Sequence, residues 1–151
     1  MRWLECRVPP PLVGLLCALL MYGLHGWLPQ AVMPLPAALA WPLVALGLLL
    51  DGSAVLSFLR LRTTVNPLRP QNSSALVVSG FYRISRNPMY LGMLCLLLAW
   101  ALWLGNWLSV LGPLLFVLWI SRFQIAPEER ALAAHFGDGY RAYCQRVRRW
   151  L

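Results

Sequence analysis

Two stretches of the chain combine aromatic, amide and charged residues at spacings that packing alone does not require. The first runs Leu76-Val77-Val78-Ser79-Gly80-Phe81-Tyr82-Arg83-Ile84-Ser85-Arg86-Asn87-Pro88-Met89-Tyr90-Leu91-Gly92. The second is Glu128-Glu129-x-x-Leu132-x-x-x-Phe136-Gly137-x-x-Tyr140-x-x-Tyr143-x-x-x-Val147. The rings of Tyr82 and Tyr90 suit cationic or flat groups. Asn87-Pro88 reads as a helix start, with Asn as N-cap and Pro at the first helical position, and such an N-terminus offers N–H groups to an anion. Glu128 can accept from an ammonium or a hydroxyl.

Each of these residues also has a plainer reading. Tyr82 and Tyr90 are the types found in an interfacial aromatic belt, and Arg122 can end a span by snorkelling. Glu128 and Glu129, after Pro127, suit the start of a helix whose dipole they complement. Asp51 stands within an apolar run, where an acid is a functional hypothesis by default; a protonated or hydrogen-bonded structural acid is the alternative. Cys6, Cys17, Cys95 and Cys144 show no CxxC and no ligand-like spacing with His25 or His135, so neither a metal site nor a disulfide framework is expected.

The elements that must position these residues are apolar. Of 151 residues, 60% are hydrophobic, more than a soluble domain of this size can hide. Lipid is the expected solvent, and lipid tolerates only backbone whose hydrogen bonds are made internally. All thirteen basic residues are Arg, and they fall in clusters: Arg2 and Arg7; Arg60, Arg62, Arg69, Arg83 and Arg86; then Arg122, Arg130, Arg141, Arg146, Arg148 and Arg149. A net charge of +8 could serve nucleic acid, but clusters punctuating apolar runs follow the positive-inside rule. Membrane lipids, and not nucleic acid, are the expected partners of this Arg.

The pattern predicts an all-α integral membrane protein with about four transmembrane helices. Spans are expected roughly over 11–28, 37–59, 88–104 and 106–122, each about long enough to cross a bilayer. The first is read as an uncleaved span after Arg2 and Arg7. Gly105-Asn106 divides the last apolar stretch into a C-terminal hairpin. That division returns the Arg-rich tail to the side of the other Arg clusters, so both termini are expected in the cytoplasm. The whole of 1–151 is one membrane domain. The loop 61–87 and the tail 123–151 face the cytoplasm, and the tail reads as an amphipathic helix, or two broken at Gly137-Asp138-Gly139. A bacterial inner membrane is the expected location.

Taken together, the two motifs around a hydrophobic hairpin resemble the isoprenylcysteine carboxyl methyltransferase family and its phospholipid methyltransferase relatives. The resemblance covers roughly 64–149. It implies S-adenosylmethionine bound at the cytoplasmic face, with cofactor contacts on Leu76, Val77, Tyr82, Asn87, Pro88, Met89, Tyr90 and Glu128. It implies methyl transfer to a lipid-like or prenylated acceptor, with carboxyl O-methylation favoured and Arg122 and Glu129 as the catalytic candidates. Two positions depart from the family pattern: Asn87 replaces the usual His before Pro, and Gln124 stands where members that methylate a prenylated carboxylate carry Arg. A membrane sterol- or enone-type reductase using NADPH, and a non-enzymatic membrane subunit, are the rival readings.

Overall fold

The computed structural model describes residues 4–60 and 76–151. Arg2, Arg62 and Arg69, with the Asn66-Pro67 and Asn72-Ser73-Ser74 parts of the expected loop, lie outside the described residues. All regular elements among those described are helical. They are α1 (Pro10–Trp27), α2 (Ala40–Arg60), α3 (Pro88–Leu104), α4 (Leu111–Ile120) and α5 (Ala126–Arg146). One 3-10 turn, Ala37–Leu39, leads into α2; another, Trp107–Val110, leads into α4; a third, Gly80–Arg83, precedes α3.

Three helical runs are long and apolar enough to cross a membrane: Pro10–Trp27, Ala37–Leu59 and Trp107–Arg146. The last is 40 residues long, well beyond the roughly 20 that a bilayer needs. Its charges begin at Arg122, so its apolar part is 107–121. Pro88–Leu104 is a shorter apolar helix. Leucines on α1, α2 and α4 point outward with roughly half their surface exposed, Leu19 and Leu118 among them. Water would not tolerate so apolar an exterior, whereas lipid tails do.

The helices meet through small residues and one aromatic core. Met21, Phe116 and Ile120 are essentially inaccessible and pack with Val13, Cys17, Leu97 and Ala101 where α1, α3 and α4 converge. Between α2 and α3 the backbones approach closely: a Cβ on Gly47 would lie 2.9 Å from the Gly92 carbonyl, and one on Gly92 would overlap the Asp51 carboxyl. Glycine at both positions is therefore a packing requirement.

The connections are tied at two opposite ends. At one end Met33 N–H donates to Gly105 O (2.7 Å) and Trp107 N–H to Ala31 O (2.8 Å). Gly105 takes the left-handed conformation that caps α3, and the buried Asn106 side chain donates to Leu28 O while accepting from Leu108 N–H. The Gly-Asn signal thus marks a turn that also holds the α1–α2 connector. At the other end Cys6 N–H donates to Phe123 O, and Arg86 N–H to Arg148 O.

Two local expectations are corrected. Pro127 does stand in the first turn of α5 with Glu128 and Glu129 after it, but no break precedes that helix, because α4 continues through a π-helical turn (Ser121–Ile125) straight into it. A proline inside a helix leaves the carbonyl four residues earlier without its donor. Here that carbonyl is Phe123 O, and Cys6 N–H reaches it at 3.0 Å. The wide turn and a donor from the far end of the sequence together make Pro127 tolerable. Asn87 does stand at the start of α3, but its side chain makes no capping bond; its Nδ2 donates instead to Arg149 O (2.9 Å). In the tail, α5 is kinked at Gly137, whose φ of 52° and ψ of −124° leave the helical region.

Candidate functional site

The two sequence motifs meet at the end of the bundle where Cys6 meets Phe123. Tyr90 lies in the first turn of α3 and Glu128 in the first turn of α5. Tyr90 Oη donates to Glu128 Oε2 at 3.0 Å, and the buried Gln124 hydrogen-bonds Tyr90 from the π-helical turn. Gln124 and Glu128 are four residues apart across the join of the π turn and α5, so they lie on the same side. Gln124, the position that departs from the carboxylate-methylating pattern, is thus part of the site.

Burial pushes the Glu128 carboxyl up to about 8; the Tyr90 hydrogen bond opposes this, and the neighbouring charge of Glu129 adds to it. A carboxyl held in so dry a place favours its proton until a cation arrives. Tyr82, in the 3-10 turn Gly80–Arg83, is buried and its hydroxyl is pushed far above the usual phenol range, first by burial and then by the charges of Glu128, Tyr143 and Asp51.

A wall of apolar side chains holds Tyr82. Its ring meets Phe58 of α2 edge-on, with centroids 5.7 Å apart, and Ala54, Val77 and Met89 complete the cluster. The tail closes the other side. Its stripe of Leu132, Phe136, Tyr140, Tyr143 and Val147 packs against Leu76, and Tyr143 Oη donates to Tyr82 O at 2.6 Å. The tail's apolar face therefore covers the segment before α3.

Both residues expected to act on the acceptor are held in ion pairs. Arg122 has half of its side chain exposed, pairs with Glu5 at 3.1 Å and lies over the Phe123 ring. Glu5 also pairs with Arg130. Glu129 takes two bonds from Arg149, to Oε1 at 3.0 Å and to Oε2 at 2.5 Å, and a third contact from Arg86 at 3.1 Å. A carboxylate so clamped is a fastener of the tail.

Leu76, Val77, Tyr82, Pro88, Met89, Tyr90 and Glu128 thus gather around this end, with Asn87 at its rim under Arg149. Glu5 and Cys6 were not singled out from sequence; no local pattern marks a residue whose partner is so distant. Among the described residues no cluster of His, Cys, Asp or Glu could hold a metal. An apolar groove of about 490 Å³ runs between α1 and α4, lined by Val13, Leu16, Leu20 and Leu118 among others, and contains none of the motif residues.

A family model described as phospholipid methyltransferase matches residues 35–139. An uncharacterised protein of Haemophilus influenzae is 60% identical over 63 residues, which are 42% of this chain and all of that protein. The Delta(14)-sterol reductase TM7SF2 of Mus musculus is 37% identical over 75 residues, which are 48% of this chain and 18% of that protein. No solved structure matches.

Proposed function

The chain belongs to the phospholipid methyltransferase family, and from that premise we propose that it transfers the methyl group of S-adenosylmethionine to an amine-bearing lipid at the membrane surface. Methyltransferases of this family generally use that cofactor. The observation that carries the reading is the Tyr90–Glu128 hydrogen bond, which joins the two motifs around one dry carboxyl.

The residues fit the cofactor's chemistry. Among the described residues Glu128 has no cationic partner; it is in reach of a ligand ammonium or ribose hydroxyl, and Tyr82 and Tyr90 give it aromatic neighbours. Leu76, Val77, Pro88 and Met89 supply apolar walls, and Asn87 stands where α3 presents free N–H groups. When bound, the cofactor supplies an electrophilic methyl on a sulfonium. The chain's own contribution is orientation, exclusion of water and the handling of the acceptor's charge.

The carboxylate acceptor favoured from sequence rests on Arg122, which is half exposed and engaged by Glu5. The buried ionisable groups around Tyr82 are acids and phenols, Glu128 and Asp51 among them. Surroundings of that kind favour a cationic headgroup over an anionic one. The reductase remains the second reading, because TM7SF2 shares the matched segment. Arg86 and Arg149, basic residues beside the site, are tied to Glu129, which leaves a 2′-phosphate poorly served.

The membrane arrangement that goes with this reading has four crossings. Exposed Trp27, Trp41, Trp103 and Trp107 ring the end that carries Asn106, as an interfacial belt does. Arg83, Arg122, Arg146 and Arg149 gather at the other end, which the positive-inside rule assigns to the cytoplasm together with both termini and the site. The deciding experiment is equilibrium binding of S-adenosylmethionine and of NADPH to the purified protein. Micromolar binding of the first and none of the second is expected; the reverse would transfer the chain to the reductases.

A further inference from the structure

Asp51 is an acid in the interior of α2, nine residues before the helix ends at Arg60. It lies on the stripe Gly47, Asp51, Ala54, Phe58, whose helical spacing turns one face of α2 toward α3 and the turn before it. Gly47 and Asp51 lie against Gly92, while Ala54 and Phe58 lie against Tyr82 and Val77. The carboxyl therefore sits one turn deeper than the wall of the proposed cofactor site. Its Oδ1 is buried and has no hydrogen-bond partner.

No ion pair involving it exists among the described residues. The ionisable side chains that sense it are Tyr82, from the turn Gly80–Arg83, and Cys95, from α3. Neither carries a positive charge. An acid inside a bilayer is costly unless something cationic comes to it, and functional use is the usual reason that it is kept. Gly92 reinforces the point, because any side chain there would fill the space that the carboxyl occupies.

We propose that Asp51 receives the protonated amine of the acceptor lipid and takes its proton before methyl transfer. The inference rests on the methyltransferase reading above. From Asn87 to Gly92 is five residues, so the carboxyl lies about 7 Å below the start of α3 at 1.5 Å per residue. A headgroup at that depth keeps its chains in lipid. The balance is simple. The ammonium N–H bond breaks and its proton passes to the Asp51 carboxylate, which restores a lone pair on nitrogen. That pair forms the new N–C bond as the methyl–sulfur bond breaks, its electrons staying on sulfur as a neutral thioether. The methylated nitrogen leaves as an ammonium, and Asp51 returns its proton to water, so one proton is released per turnover.

The test uses the full chain in detergent with S-adenosylmethionine and a short-chain phosphatidylethanolamine as acceptor. Asp51→Asn should keep the S-adenosylmethionine Kd within about twofold, since Asp51 has no role in the cofactor contacts, and should lower kcat at pH 7 by about 100-fold, the usual scale of a lost general base. The deficit should shrink toward pH 9, where solution supplies more free amine. Asp51→Glu should recover part of the rate. Asp51→Ser gives the same reading if the amide fails to fold. Wild-type turnover in the variants, or a fall in cofactor affinity that parallels the fall in rate, would overturn the assignment. A wild-type protein that binds S-adenosylmethionine but leaves this lipid untouched would overturn it too, with the methyltransferase reading intact. Failure to bind S-adenosylmethionine at all would instead remove that reading.

Discussion

Tyr90 Oη stands 3.0 Å from Glu128 Oε2, so a phenol at the start of α3 shares its proton with a carboxyl that lies 38 residues later in the chain. The bond is what makes two separate motifs one site. Tyr90→Phe removes the donor and leaves a buried acceptor unsatisfied. S-adenosylmethionine affinity should fall by about 1 kcal/mol, roughly fivefold, by isothermal titration. Unchanged affinity would detach Tyr90 from the cofactor site.

Glu128 sets a pH dependence. Its carboxyl is raised from 4.5 to about 8, so the folded protein keeps a proton that the unfolded chain has released. Stability should therefore decline as pH rises through that window, while affinity for a cationic ligand should climb toward pH 8. Glu128→Gln should raise the Tm of the ligand-free protein at pH 8 by about 3 °C or more, yet weaken S-adenosylmethionine binding at least fivefold. Thermal unfolding and binding at pH 5.5 and pH 8 check both; a variant that gains neither stability nor loses affinity refutes the assignment.

Arg122→Lys separates the two acceptor chemistries. With Arg122 half exposed and paired to Glu5, the change should alter turnover by no more than about threefold, because exposed ion pairs contribute little. A loss beyond tenfold, with cofactor affinity kept, would restore the carboxylate acceptor and its bidentate fork.

Glu129→Gln should loosen the tail. Arg149 and Arg86 both bind this carboxylate, and Arg149 O receives Asn87 Nδ2–H. Trypsin should then cut at Arg148 and Arg149 faster than in the wild type, while the pH–rate profile keeps its shape. A displaced pH–rate profile would mean that Glu129 acts as a base.

Helices and motifs were legible in the sequence because apolar runs, Gly105-Asn106 and the spacing inside each motif are local patterns. That the two motifs share one end followed from folding the chain back at that turn, but the Tyr90–Glu128 bond itself did not. What escaped was non-local. Around Pro127 the run-on from α4 into α5 was hidden, because nothing nearby announces that Cys6 will satisfy Phe123 O. Asn87 looked like a cap because its actual partner, Arg149 O, lies 62 residues away. Glu5 looked unremarkable and Gln124 stood out only as a departure from the family pattern, since their value lies in what the fold sets beside them.

The bond between Cys6 and Phe123, with the Glu5–Arg122 pair next to it, joins residues 117 positions apart. Synthesis delivers Cys6 long before Phe123, so α1 must wait through the making of α2 and α3. Closing so long a loop is slow compared with forming any single helix. The proline that interrupts the α4–α5 run is sheltered only once that wait is over. A ribosome stalled after α3 would hold a chain whose Tyr90 has no Glu128 to bond.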